Sequence, residues 1–405
     1  MSGLLGFLIA LLAVAALLRI DFFFYLFYLI AGVALLGRAW AQRAARSLAC
    51  ERRYPGRVFW GERPLVELTI RNRGLLPVLW LQVHDSLPIQ VRSPNFYQQV
   101  VSLGPREALT LSYQLDCRRR GYYPLGPLAL ESGDLLGTAR IAIDCPRADT
   151  LVVYPRIIPL AGLRLPSRTM YGSLPSRQRI FEDPARILGL RDYVPGDSLR
   201  HIAWKSSAAL GRLQVRRLEP SVALETAIML DLCRGSYSPM RLWVATELAI
   251  VVAASVANWL VERRQAVGLA TNGCDPLAAA EGAAGQPPAK PPRKGRLALM
   301  ALLDLLARVE MAEGTTPLAA LLRREAGRLP WGATLVVITG RVDEALFDAL
   351  ASSRRAGLSA ALISVDPGPD FAALRRRAAR IGVPSFEVWE ETDLERGCLA
   401  AGGAA

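Results

Sequence analysis

The chain has almost no histidine: two residues, His84 and His201, in 405. Its six cysteines, Cys50, Cys117, Cys145, Cys233, Cys274 and Cys398, include no C-x-x-C pair. Together these shortages exclude the ligand spacings of zinc sites. Scattered cysteines in a chain of this length predict reduced, buried thiols. A Cys117–Cys145 bridge is conceivable only if that region lies outside the cell. Neither a P-loop, nor a G-x-G-x-x-G after a strand, nor a G-x-S-x-G elbow occurs. Acids are also short, with 36 against 49 basic residues, for a formal charge of +13. Such a balance suits nucleic acid, an anionic membrane surface or an acidic partner, or it reflects solvated arginine faces. No interleaved aromatics or nucleic-acid motif accompany the charge, so nucleic acid is not expected as a partner.

What the chain has in excess is apolar residues, 52% of the total, concentrated at the N-terminus. Residues 3–18 form one uninterrupted apolar run and residues 22–36 another, rich in Phe and Tyr. Eighteen helical residues span about 27 Å, close to the thickness of a bilayer core. Residues 1–37 are therefore expected to form a transmembrane helical hairpin, with the lipid bilayer as partner. A signal peptide fits less well, because no positive charge precedes the first run and no A-x-A site ends the second. Arg38, Arg43, Arg46, Arg52 and Arg53 follow directly. By the positive-inside rule they predict a multi-pass protein of the cell membrane whose soluble domains are cytoplasmic.

Residues 58–154 show short alternating runs separated by turn residues, at 65–70, 78–83, 108–115, 128–130, 138–143 and 150–154. This pattern predicts a small antiparallel β-sandwich over residues 50–160. The basic run of residues 117–121, CRRRG, reads as a charged strand edge. His84 beside Asp85 reads as a hydrogen-bonded pair at a strand end, or alternatively as an acid/base pair.

Residues 178–221 follow no single period. Pro195-Gly196-Asp197 is a turn signal: proline fixes φ, glycine supplies positive φ, and aspartate accepts backbone N–H bonds. Residues 198–205 predict a short helix capped by Asp197 or Ser198, with Leu199, Ile202 and Ala203 inward and Arg200 and Lys205 outward. Residues 211–216 predict a strand. Arg191, Asp192, Asp197, Arg200 and Glu219 can pair into a charge network that steadies this irregular segment. The alternative is a recognition surface, with Arg200 and Lys205 as donors. Catalysis is not expected here: Lys205-Ser206 lacks the S-x-x-K spacing, and His201 has no evident partner to make it a base.

Residues 222–392 alternate strands and helices, which calls for a parallel, doubly wound α/β sheet. Asp231 ends the first strand, where ligands of such sheets bind. Residues 275–294, rich in Ala, Pro and Gly, are expected to be a loop.

The spacing R-D-Y-x-P-G-D-x-x-R-x-I-x-W-x-x-S-A-x-x-G-x-L-x-V, closing on glutamate, resembles the signature of the domain-of-unknown-function family 58. It falls on Arg191, Asp192, Tyr193, Pro195, Gly196, Asp197, Arg200, Ile202, Trp204, Ser207, Ala208, Gly211, Leu213, Val215 and Glu219. GYYPLG at residues 121–126 and DLLG at residues 134–137 are similar to its β-domain. The resemblance implies two membrane helices, a β-domain, the signature, and a C-terminal von Willebrand factor A-like doubly wound domain. It also implies an adaptor or assembly role beside a MoxR-type AAA+ ATPase. A metal site of the von Willebrand A type needs D-x-S-x-S after the first strand, a loop threonine, and an aspartate after the fourth strand. Here Asp231 is present, but Cys233 and Gly235 stand at the serine positions, and Gly340-Arg341 follows residues 334–339. Thr315 or Thr316 would have to supply the loop threonine. Too few hard oxygen ligands remain for magnesium, so no metal and no cofactor are expected. The expectation is a membrane-anchored interaction module and not an enzyme. The alternative is a membrane-associated enzyme acting on a phosphorylated or carbohydrate substrate through Asp231.

Overall fold

A computed structural model describes residues 2–18, 21–91, 98–133, 140–145, 149–163, 182–220, 225–280, 288–313 and 316–401. The chain divides into two compact units. One comprises residues 1–156 with 306–308, the other residues 157–305 with 309–405.

The first unit opens with helices α1 (Ser2–Leu18) and α2 (Asp21–Arg46), which pack against each other. Helix α2 is 26 residues long and passes the length and composition test for a membrane crossing, with its apolar window 0% buried. It does not stop where the apolar run stops. Ala41, Ala44 and Ala45, near its C-terminal end, are buried, and the Trp40 indole N–H donates to the Pro77 carbonyl at 3.1 Å. Small side chains on one helical face permit this close approach to strands.

Ten strands follow: β1 (Leu48–Arg53), β2 (Arg57–Phe59), β3 (Leu65–Asn72), β4 (Val78–Asp85), β5 (Gln98–Leu103), β6 (Ala108–Gln114), β7 (Gly121–Leu125), β8 (Leu128–Gly133), β9 (Arg140–Cys145) and β10 (Asp149–Tyr154). They form three sheets, β1-β3-β6, β2-β10-β7 and β5-β4-β8-β9. All pairings are antiparallel except the parallel β2–β10 pair. In β3, Val66, Leu68 and Ile70 point inward while the residues between them face outward, as period-two alternation requires. Together with Leu81, Val83, Leu130 and Leu151 they build one core. Asn72, fully buried, ties the corner. Its amide donates to the carbonyls of Leu76 (2.8 Å) and Gly104 (2.9 Å) and accepts from Ser47 (2.8 Å) and the Gly74 N–H (2.9 Å).

Three sequence expectations change here. Arg52 is not a charge at the membrane exit: it lies on β1, inside the unit. There it pairs with buried Asp85 and donates to Asp149 (3.2 Å) and the Leu125 carbonyl (3.0 Å). Asp85 turns inward to Arg52 and to the Tyr113 hydroxyl (2.6 Å), whereas His84 lies on the exposed side of β4. Neighbouring residues of a strand point to opposite faces, so His84 and Asp85 do not form one acid/base site. Cys50 is disulfide-bonded, while Cys117 is a free, buried thiol, so the Cys117–Cys145 bridge is not formed. Burial pushes the Cys117 thiol up to about 12. Within the basic run, Arg118 pairs with Asp116 at 2.9 Å. Residues 134–137 lie outside the described residues.

The second unit contains an antiparallel ribbon of β11 (Glu182–Asp192) and β12 (Gln214–Pro220), with helix α3 (Trp204–Leu210) between them. A six-stranded sheet follows: β13 (Glu225–Leu230), β14 (Ala266–Thr271), β15 (Ala289–Arg293), β16 (Thr334–Thr339), β17 (Ser359–Val365) and β18 (Ser385–Val388). Its helices are α4 (Leu242–Glu262), α5 (Pro276–Ala280), α6 (Arg296–Arg308), α7 (Leu318–Ala326), α8 (Glu344–Arg355), α9 (Phe371–Arg380), α10 (Glu391–Glu395) and α11 (Cys398–Ala401). The spatial order is β15-β14-β13-β16-β17-β18. Counting from β13, this is 3-2-1-4-5-6, an order of doubly wound α/β sheets.

Helices α7, α8 and α9 cover the sheet face that carries Met229, Leu335 and Val337. Helix α4 lies along the sheet and is apolar almost all round; Ala249, Val252, Ala253, Val256 and Leu260 are at most 1% exposed. It meets the length and hydropathy test for a membrane span, yet 72% of its apolar window is buried in the fold. A helix apolar on every side is what a core position requires.

Two elements, α5 and β15, depart from the expected loop at residues 275–294. β15, AKPPR, pairs antiparallel with β14 at the sheet edge. Prolines cannot donate to a ladder and are tolerated at an edge. Gly268 makes room: a Cβ there would stand 2.8 Å from the Lys290 carbonyl and the Pro292 nitrogen.

Candidate functional site

In the second unit polar residues come together at the signature ribbon and at the carboxyl end of the six-stranded sheet.

In the ribbon, Val194-Pro195-Gly196-Asp197 makes a turn closed by the Asp197 N–H to the Val194 carbonyl at 3.0 Å. Gly196 has φ +109°, which the third position of such a turn demands of glycine. Asp197 does not cap a helix. Its carboxylate accepts both terminal nitrogens of Arg191 at 2.6 Å and the Val194 N–H at 3.0 Å. These bonds hold its pKa down at about 2, the Arg191 hydrogen bonds being the largest cause.

Asp192 takes other partners, Arg212 at 3.1 Å and the Gln214 amide. Tyr193 donates its N–H to the Leu213 carbonyl at 2.9 Å. The expected helix over residues 198–205 is broken into a 3-10 turn, Leu199–His201, and α3. The cause is local: Ile202 bridges to Val215, and the Ala203 N–H donates to Gln214 at 2.8 Å, so the backbone there is held by β12. Ser207 locks the two together, donating to Ala203 (3.0 Å) and accepting the Gln214 N–H (2.8 Å). Gly211, at φ +63°, ends α3 in the left-handed region.

The charge network thus splits into two pairs. Arg200 and Lys205 are exposed and have no partner among the described residues. Glu219 pairs with Asp183 through the backbone, but its side chain is outside the described residues. The exposed surface is also apolar. Leu199 and Trp204 are each 66% exposed, and Val194, Leu210 and Leu213 are exposed too. The exposure of Leu199 was hidden in the sequence, because the helical reading turned it inward.

At the sheet end, Asp231 follows β13 and Thr339 ends β16, the two strands that flank the topological switch point. Asp231 is 2% exposed. Its Oδ1 accepts the Asn272 amide at 2.8 Å and the Cys233 N–H at 3.1 Å, and its Oδ2 accepts the Thr339 hydroxyl at 2.7 Å. Asn272 accepts the Leu232 N–H in return at 2.7 Å. The Tyr237 hydroxyl donates to the Asp231 carbonyl at 2.6 Å. Burial, with Asp231 adjacent, pushes the Tyr237 phenol well above its ordinary range. Gly340 is the residue over which this ring lies: a Cβ there would stand 2.6 Å from it.

Both carboxylate oxygens therefore face protein donors, and Tyr237 holds the main-chain oxygen of the same residue. These residues do not fit a magnesium site. Thr315 lies outside the described residues; Thr316 is half-buried. Asn272, Thr339 and Tyr237 were missed in the sequence. The available signal was a polar residue at the carboxyl end of a strand, Asn272 just after β14 and Thr339 closing β16. Further along the same end, Arg241 pairs with Asp366 at 2.7 Å.

Residues 189–367 match the family described as Protein of unknown function DUF58. That span holds the whole signature, Arg191 to Glu219, and the whole Asp231 cluster. The uncharacterized protein YeaD of Bacillus subtilis (strain 168) is 26% identical over 220 residues, which are 53% of this chain and 52% of YeaD. The chain thus spans about half the length of the curated relative it matches. Among solved structures, the CARDB domain of PF1109 from Pyrococcus furiosus is similar over 26% of this chain and 91% of that one, at 19% identity and a TM-score of 0.20. Escherichia coli alpha-2-macroglobulin is similar over 28% of this chain and 17% of that one, at 17% identity and a TM-score of 0.25.

Proposed function

We propose that the chain is a membrane-anchored adaptor whose signature ribbon docks a partner protein. The observation that carries this reading is the exposure of Leu199 and Trp204 on the segment that also exposes Arg200 and Lys205, neither of which has a partner among the described residues. An exposed tryptophan and arginine on one rigid segment are what binding hot spots are made of. The ribbon beneath is fixed by backbone pairing and by the Arg191–Asp197 and Ser207–Gln214 bonds, so the surface is pre-formed. In this reading residues 1–37 are a transmembrane hairpin, and both soluble units lie on the cytoplasmic side. The sheet order supports a von Willebrand factor A-like unit whose metal position has become a structural clamp. The family resemblance points to a MoxR-type AAA+ ATPase as the partner.

The test is cross-linking and purification from native membranes in a gentle detergent. Wild-type protein is expected to recover an AAA+ ATPase, and Trp204→Ala with Arg200→Glu is expected to lose it. Recovery of no ATPase by the wild type, or undiminished recovery by the variant, would sink the reading.

A further inference from the structure

The six-stranded sheet has two different edges. At one, β15 carries prolines. At the other, β18 is paired only with β17, in register from Leu362↔Ser385 to Val365↔Val388. The Leu362 N–H donates to Pro384 and the Asp366 N–H to Val388, both at 2.9 Å. Backbone groups alternate sides along a strand, so those of Ser385 and Glu387 point away from β17. Among the described residues they meet no hydrogen-bond partner.

A cavity of about 960 Å³ runs along this edge. Ser385, Glu387 and Trp389 line it from the strand side, and Arg375, Arg376 and Arg380 from α9. Among the residues that line the cavity these three arginines stand against a single acid, Glu387, and they have no hydrogen bond or ion pair among the described residues. Arg377 on the same helix behaves differently. It makes a two-pronged pair with Glu344 and lies over the Phe347 ring at 4.1 Å. Helix α9 thus spends one arginine on the fold and turns three towards the edge. Buried Phe371 and the exposed Trp389 also line the cavity.

We propose that this edge receives an extended acidic segment of a partner protein, which adds to β18 as a further strand. Its backbone meets the outward N–H and C=O groups of Glu387, the exposed residue of β18, while Ser385 is buried. Carboxylates on its one face meet Arg375, Arg376 and Arg380, and an apolar side chain rests against Phe371 and Trp389. Main-chain pairing provides affinity in this mode, and alternate side chains provide selectivity. The site is separate from the signature ribbon and does not depend on the adaptor reading of it.

Charge also guards strand edges against pairing, so the test must separate backbone pairing from charge. The probe is a short, end-blocked fluorescent peptide alternating valine and glutamate, added to the full-length protein in detergent. Saturable binding is expected. The same peptide N-methylated on the residues that face β18 is expected to bind about tenfold more weakly or worse. Arg375→Glu with Arg380→Glu is expected to weaken the glutamate peptide by about tenfold or more. That variant should gain binding to a valine–lysine peptide, which also shows that it is folded. No saturable binding, equal binding of the N-methylated peptide, or capture of single-stranded DNA or anionic phospholipid vesicles in place of the peptide would overturn the proposal.

Discussion

The Thr339 hydroxyl donates to the Asp231 carboxylate across 2.7 Å, joining the carboxyl ends of two neighbouring parallel strands inside the protein. With Asn272 bound to the other oxygen, one carboxylate links three strands. Removing the hydroxyl leaves a buried acceptor short of a donor, which costs about 1–3 kcal/mol. Thr339→Val is expected to lower the midpoint of thermal unfolding accordingly. Magnesium is expected to leave the wild-type midpoint unchanged. Saturable micromolar heat in a calorimeter, lost in Asp231→Ala, would refute the clamp.

The Arg52–Asp85 pair makes a second prediction. Burial opposes the Arg52 charge, yet Asp85 holds the guanidinium more firmly protonated than usual. Burial and Asp85 likewise push the Tyr113 phenol up. Breaking a buried pair strands the remaining charge, at a cost of about 3–5 kcal/mol. Asp85→Asn should destabilise the protein by that order in urea titrations. Arg52→Met with Asp85→Leu should recover much of the loss. A double variant no better than the single one would show that the pair is not the cause.

Arg200 and Trp204 give the opposite expectation. As exposed side chains away from any cap or buried network, their replacement by alanine should shift stability by no more than about 0.5 kcal/mol. Differential scanning calorimetry of Arg200→Ala and Trp204→Ala checks this. A large drop in either would assign the ribbon surface to the fold and not to recognition.

Asp197 supplies the pH prediction. Its folded pKa, about 2, lies below the ordinary carboxylate value of 3.8. The contribution of the Arg191–Asp197 pair is therefore complete above the unfolded value. It is lost as the pH falls through the folded one. Carbon-detected NMR titration should place the Asp197 midpoint near 2 and, in Arg191→Gln, closer to the ordinary value. An ordinary midpoint in the wild type would mean that the pair does not persist in solution.

Much of this architecture was readable before folding. β16 spans residues 334–339, the run marked in the sequence, because a buried parallel strand is continuous and apolar. The alternation of β3 and β4 was equally plain. β1 was missed because ERR reads as surface charge, whereas Arg52 is carried inward by two aspartates distant in sequence. β15 was missed because two prolines argue against any strand except at an edge. The break before α3 follows from pairing with β12, which no local pattern reveals. Asp231 was legible as a strand-end acid. Its partners Asn272 and Thr339 are 41 and 108 residues away, and only the strand order brings them together.

Helix α2 has a mechanical consequence. Its 26 residues extend about 39 Å, from the apolar run to the buried alanines, with no break between them. In the anchored reading, no slack separates the bilayer from the β core. Tilt or rotation of the helix in the membrane is transmitted as movement of that whole core. Deleting one residue between Leu36 and Trp40 would swing the core by about 100° around the helix axis and lower it by about 1.5 Å. On that reading α2 is a shaft that sets height and bearing, and its length is as much a specified quantity as any side chain it carries.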